Sequence, residues 1–306
     1  MRIFITGATG YIGGALAARL VDAGHRVTGL TRDPARAGAL RARGIEPVIG
    51  TLDDAATITA AAREADAVVN TANSDHRGVA DTLIAALRGT GKTLIQSSGT
   101  SIVADLADGE REGPVYDEST PVQPLPLRAG RVALNDAVLA AANDGVRSVV
   151  VAPSLIYGEG AGLHRHSIQV PWLIDVAKRE GVGRQVGSGR NLWSNVHIDD
   201  LVDLYVAMLE RAPAGALYYA ENGENAMLEV AQAVSRMLGF GGVTRALSVP
   251  EAVALWGEGG ARYTMGSNSR VRAVRARSEL GWQPHRPSLL QEIEHGCYAR
   301  RIGSDA

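Results

Sequence analysis

The chain has 306 residues, 45% of them hydrophobic and 21% charged, with a formal net charge of −2. That length supports a full α/β core with a smaller lobe, and the near-neutral charge leaves no global field to draw nucleic acid or an anionic membrane. The single cysteine, Cys297, excludes an internal disulfide and a cysteine-rich metal site and fits a reducing, cytoplasmic setting.

The opening run MRIFITGATGYIGGALAARL is apolar after one early arginine, yet glycines interrupt it at fixed spacing and no clean cleavage site follows. It reads as a folded strand, turn and helix, not a leader. No apolar run is long enough to span a bilayer. Along the first 150 residues, β-rich runs alternate with Ala/Leu-rich helical segments: RIFIT (2–6), HRVTGLT (25–31), IEPVI (45–49), DAVVNTA (66–72), KTLIQS (92–97) and RSVVVA (147–152). Nearly continuous apolar strands between helices predict a parallel sheet covered on both faces. Gly24, Gly44, Gly91 and Gly145 stand where left-handed helix ends are expected.

Between the first strand and the first helix lies TGATGYIGG, with Gly7, Gly10 and Gly13 spaced G-x-x-G-x-x-G. Gly7 lets the strand turn, Gly10 lets backbone approach a pyrophosphate, and Gly13 lets helix and sheet pack closely. The amides of Tyr11 and Ile12, at a helix N-terminus, then face phosphate. A bare glycine turn is the bland alternative, but the motif follows a strand, opens a helix and begins the whole alternation.

The second strand ends Leu30-Thr31-Arg32-Asp33. A carboxylate here takes the adenosine ribose hydroxyls of NAD, whereas a basic group takes the 2′-phosphate of NADP. Arg32 can fork onto a phosphate, Thr31 can donate a hydroxyl, and Arg36 adds to the field. The expected cofactor is therefore NADP(H), with NAD(H) second. The competing reading leaves Arg32 paired with Asp33 or facing solvent, and makes Asp33 the cap of a helix beginning at Pro34.

Residues 98–126 hold no clear element and read as a lid, with ADLADGEREG a solvated acidic stretch lacking calcium-ligand spacing. Beyond 155 the rhythm loosens. Helices are predicted at 170–181, 199–211, 226–239 and 287–301, with a strand at 215–221. The chain thus divides into a dinucleotide-binding Rossmann-type domain (1–155) and a smaller C-terminal substrate lobe (156–306) with segments returning to the main sheet. The fold class is α/β, a doubly wound parallel sheet. A homodimer through helices beside the sheet is also expected, with the apolar residues of 131–142 to offer.

TGATGYIGG, DAVVNTA, SSGTS, APSLIYGEG, WSNVHIDDLVDLY and the closing SELGWQP resemble the extended and atypical short-chain dehydrogenases/reductases, and among them the NAD-dependent epimerase/dehydratase family. The resemblance covers nearly the whole chain. It implies a nicotinamide cofactor at the C-terminal edge of the sheet, held by Gly7, Thr9, Gly10, Tyr11, Ile12, Gly13, Thr31, Arg32, Leu52, Ala72, Ser97 and Ser98. It also implies backbone contacts from Pro153 and Leu155.

The family's chemistry, as the resemblance implies it, uses a Ser/Thr, a tyrosine and a lysine four residues on. This sequence departs at all three. Gly99 stands where the serine aligns, and Arg128 and Val132 hold the other two places. The lysines are only Lys92 and Lys178, preceded at four residues by Arg88 and Ile174, so no Tyr-x-x-x-Lys exists anywhere. Candidates for displaced chemistry are Thr100, flanking the aligned position, and Tyr157 in the IYG turn. His164 and His166 are further titratable groups on a glycine-flanked loop. No metal site is expected. A guanidinium at 128 cannot supply a proton but can bind an oxyanion. Three readings follow: an NADP(H)-dependent oxidoreductase acting on a small carbonyl or related group, a non-catalytic NADP(H) sensor, and a sugar-nucleotide epimerase or dehydratase.

Overall fold

The computed structural model describes residues 1–304. Seven parallel strands form the central sheet: β1 (Arg2–Thr6), β2 (Arg26–Thr31), β3 (Ile45–Ile49), β4 (Ala67–Asn70), β5 (Thr93–Ser97), β6 (Arg147–Pro153) and β7 (Ala216–Ala220). Their spatial order is β7-β6-β5-β4-β1-β2-β3. The chain winds outward from β1 to β3 and returns to β4, so the winding reverses between β1 and β4. A crevice forms at that reversal, at the carboxyl ends of the strands.

Both faces of the sheet are covered, as the unbroken apolar strands require. Ile3 and Ile5 face a core shared with Leu16 and Leu20 of α1 (Tyr11–Asp22) and Leu201 and Leu204 of α7 (Ile198–Arg211). Phe4, between them, faces the opposite core with Ile58 of α3 (Ala55–Glu64), Leu83 of α4 (Arg77–Leu87) and Leu134 of α5 (Pro126–Ala140). Each such fully buried side chain contributes on the order of 1.5–3 kcal/mol before entropy is counted. Leu134 and Val138, apolar residues that 131–142 was expected to offer a partner, are packed against the sheet.

The smaller lobe has its own core, which includes Tyr157, Leu173 of the helix Gln169–Glu180, Trp193, Val230 and Ile293. It is discontinuous in sequence. Between its pieces, α7 packs on α1, and β7 pairs with β6 in the main sheet. The predicted helix at 287–301 is two helices, Leu289–His295 and Cys297–Ser304, parted at Gly296, whose ψ of −142° leaves the helical region.

The segment expected to be a solvated lid is instead strapped to the lobe. Asp108 receives Arg262 at 3.1 and 3.0 Å, and Asp105 accepts from the Asn268 amide. Val115–Tyr116 pairs with Arg270–Val271 as a two-residue strand. Composition alone could not reveal these partners, because Arg262 and Asn268 lie more than 150 residues away.

Candidate functional site

The glycine turn has the geometry its spacing predicted. Gly7 has φ of 78°, and a Cβ there would meet the Ala72 backbone at 2.9 Å. At Gly13 a Cβ would lie 2.4 Å from the Gly7 carbonyl oxygen and 2.3 Å from Thr71 Oγ1, so helix and sheet touch through this glycine. Gly10 is the N-cap of α1, with no side-chain cap and no acidic residue in the first turn. The first-turn amides, including those of Tyr11 and Ile12, therefore keep no partner within the helix and point their positive end into the crevice. The Tyr11 side chain serves elsewhere, since its hydroxyl donates to the Gly158 carbonyl at 2.8 Å and ties α1 to the lobe.

A cavity of about 700 Å³ opens beside this turn, lined by Gly7, Thr9, Gly10, Thr31, Arg32, Leu52 and Ala72 among the residues singled out from sequence. Thr31 is buried and its hydroxyl is held in the turn by the Asp33 backbone. Asp33 caps the Pro34 turn through the Ala35 amide at 2.9 Å and faces Arg36 at 3.4 Å. Arg32 is exposed and carries no hydrogen bond or ion pair among the described residues. Of the competing reading, the Asp33 cap and a solvent-facing Arg32 are present, while an Arg32–Asp33 pair is not formed.

Several lining residues escaped the sequence reading, including Thr51, Asp53, Asn73 and His76. His76 Nδ1 accepts from the Val79 amide, which leaves Nε2–H to donate to Asp53 at 3.2 Å. Beneath the crevice runs a buried polar ladder across the last residues of β1, β4 and β5. Thr6 donates to Asn70, Asn70 donates to Gln96 at 2.7 Å, Gln96 donates to the Ser97 carbonyl, and the Ser97 and Tyr205 hydroxyls share a hydrogen bond. The signal for it was a run of polar residues ending otherwise apolar strands.

Farther along the sheet edge, Ser98 accepts from Asn135 at 2.9 Å, and the Ser98 amide bonds Val151 of β6. Pro153 and Leu155 are both buried. The side chain of Leu155 belongs to the lobe core, and its backbone lies in a short strand in register with Asn195. Thr100 and Tyr157, the candidates for displaced chemistry, are both buried and hydrogen-bonded within the protein. Thr100 is 1% exposed and its hydroxyl accepts from Ser269 at 2.8 Å. Tyr157 is fully buried, and its hydroxyl donates to the Pro287 carbonyl at 2.8 Å. Burial also pushes the Tyr157 hydroxyl well above the usual phenol range. Tyr157→Phe is expected to leave turnover within about twofold while lowering stability by about 1 kcal/mol, one hydrogen bond's worth, as steady-state kinetics and thermal melting will show. Trp193 is likewise core, its indole donating to Ser267, whereas Trp172 is stacked on Trp256 with centroids 6.2 Å apart.

His197 caps α7, accepting from the Asp199 amide at 3.1 Å. Asp200, Asp203 and His285 bring ligand-type atoms within 4.8 Å of one another. Asp200 there accepts the backbone amides of His285 and Arg286, and Asp203 pairs with Arg19. No helix among the described residues is long and apolar enough to cross a membrane.

A seven-stranded, doubly wound parallel sheet with a glycine turn at its switch point defines a Rossmann-type fold of the short-chain dehydrogenase/reductase kind. The chain belongs to the NAD-dependent epimerase/dehydratase family, which it matches over residues 3–219. It is 33% identical to an uncharacterised Schizosaccharomyces pombe protein across 97% of this chain and all of that one. It is 30% identical to 4-hydroxy-2-methyl-3-oxo-4-farnesyl-3,4-dihydroquinoline-1-oxide ketoreductase of Stigmatella aurantiaca, over 73% of this chain and 69% of the relative. Among solved structures, dTDP-glucose 4,6-dehydratase of Bacillus anthracis in complex with NAD superposes with a TM-score of 0.77 at 18% identity, covering 100% of this chain and 98% of that one.

Proposed function

We propose that this protein is an NADP(H)-dependent reductase of a small organic carbonyl or related group. The observation that carries the reading is Arg32, an exposed guanidinium at the end of β2, unpartnered among the described residues and in the same cavity as the uncapped α1 N-terminus. Main-chain amides suit a diphosphate and Arg32 suits a phosphorylated adenosine ribose. NAD(H) is the weaker cofactor on this view. The ketoreductase relative from Stigmatella favours the same reaction class. When bound, the cofactor supplies hydride. The chain's own part is to bind and orient the reactants, with the alkoxide proton taken from water because no Tyr-x-x-x-Lys exists, Tyr157 donates its hydrogen bond to the Pro287 carbonyl and Thr100 is buried.

The test is NADPH consumption across a panel of small aldehydes, ketones and imines. Turnover of at least one class is expected. Tight NADPH binding with no turnover across the panel would move the protein to the second reading, a non-catalytic sensor of the NADP(H) pool, which the missing tyrosine and lysine favour. An epimerase or dehydratase is the weakest of the three, since those reactions lean hardest on the absent tyrosine.

A further inference from the structure

We propose that the substrate of this cleft bears a carboxylate, and that Arg128 binds it. This deepens the reductase reading by naming a substrate class, and it rests on that reading only for the word substrate. Helix α5 begins at Pro126 with no side-chain cap and no acidic residue in its first turn. Arg128 lies in that first turn, where the helix dipole already presents its positive end and disfavours a cation. One turn on, Arg131 is fully matched: Nε and Nη2 donate to both oxygens of Asp75 at 2.8 and 2.6 Å, and Nη1 donates to Ser101 at 3.0 Å. Asp75 is the carboxylate that faces both arginines, and Arg131 takes it, which holds its carboxyl below the usual range.

Arg128 is left over. It is half-buried, its Nε is enclosed with no acceptor, and its guanidinium sits 5.7 Å from the centroid of Tyr263. A desolvated cation without a counter-charge is costly, and two guanidiniums plus a helix N-terminus face one carboxylate. The missing partner is an anion. Location says which molecule brings it. Arg128 reaches from α5 of the Rossmann domain to Tyr263, in the lobe turn Ala261–Met265, so it spans the gap from sheet to lobe beside Arg131. Arg131, beside it, reaches over Gly99 at the end of β5, and Asp75 follows the Ala72–Asn73 wall of the cofactor cavity. On the lobe side, Gly260, immediately before the Tyr263 turn, lies against Trp172 and Trp256, whose rings stack. A guanidinium fork over the Tyr263 ring fits a planar carboxylate on an apolar body.

The experiment is titration calorimetry of benzoate, its neutral isostere benzamide, and inorganic phosphate into the full chain, with and without saturating NADP+. Benzoate is expected to bind, benzamide at least tenfold more weakly, and phosphate more weakly than benzoate. In Arg128→Gln benzoate affinity is expected to fall at least tenfold, with a melting temperature no lower than the parent's because an uncompensated charge is gone. Arg128→Lys, which keeps the charge but not the fork, is expected to bind benzoate with intermediate affinity and serves if the glutamine variant does not fold. No benzoate binding, equal binding of benzamide, stronger binding of phosphate, or affinity indifferent to both Arg128 variants would each overturn the proposal. Benzoate bound through Arg128 in a protein that does not bind NADP+ would sink the reductase reading and leave this site standing.

Discussion

In the Gly13→Ala protein, NADP+ affinity is expected to fall at least about a hundredfold, together with a stability loss of about 3 kcal/mol, the upper end of ordinary overpacking costs. The added methyl has nowhere to go. It would sit 2.4 Å from the Gly7 carbonyl oxygen and 2.8 Å from the Gly7 carbonyl carbon, which are backbone and cannot rotate aside. Helix α1 must therefore back away from the sheet, carrying the Tyr11 and Ile12 amides with it. Gly10→Ala separates the two effects, because its Cβ meets only the Gly7 carbonyl oxygen, at 3.2 Å. That variant is expected to fold within about 1 kcal/mol of the parent yet bind cofactor poorly, since the methyl stands where backbone must meet phosphate. Thermal melting and calorimetry on both variants check this. Full affinity in Gly13→Ala would show that the turn is not the cradle.

The second large effect concerns cofactor choice. The parent protein is expected to bind NADP+ at least tenfold more tightly than NAD+, and Arg32→Ala to erase the difference by weakening NADP+ alone. A charged hydrogen bond is worth roughly 1.5–3 kcal/mol, and tenfold needs about 1.4. The cavity holds carboxylates too, Asp33 and Asp53, which would serve a ribose diol. Asp33 is engaged by the Ala35 amide and Arg36, and Asp53 by His76, so neither is as free as Arg32. Arg32→Glu is expected to reverse the preference. Since Arg32 is exposed, the preference also shrinks with added salt. Equal affinities for the two dinucleotides in the parent protein would refute the assignment.

The two predictions differ in how far sequence carried them. The roles of Gly7, Gly10 and Gly13 were legible because spacing along one strand–turn–helix unit fixes what each glycine must do. Arg32 was legible as a residue type in a register position, but its freedom was not. That depended on Asp33 being claimed by Ala35 and Arg36, a matter of local geometry. The candidate acids fared differently. Thr100 and Tyr157 were chosen for chemistry and for place along the chain, and nothing in either criterion reveals that both would be buried, with Ser269 donating to one hydroxyl and Pro287 accepting from the other.

By itself the sequence determined the alternation of strands and helices, the parallel sheet, the glycine cradle and the absence of any Tyr-x-x-x-Lys, since each is a property of local pattern or of a residue count. Only the tertiary structure decided which polar groups remain free. It paired Asp75 with Arg131, buried Tyr157 and Trp193 in the lobe core, strapped the acidic loop to Arg262 and Asn268, and left Arg32 and Arg128 without a carboxylate partner among the described residues. The physical reason is that partnering is settled by contacts between residues distant in sequence, and a chain's chemistry resides in the groups those contacts leave over.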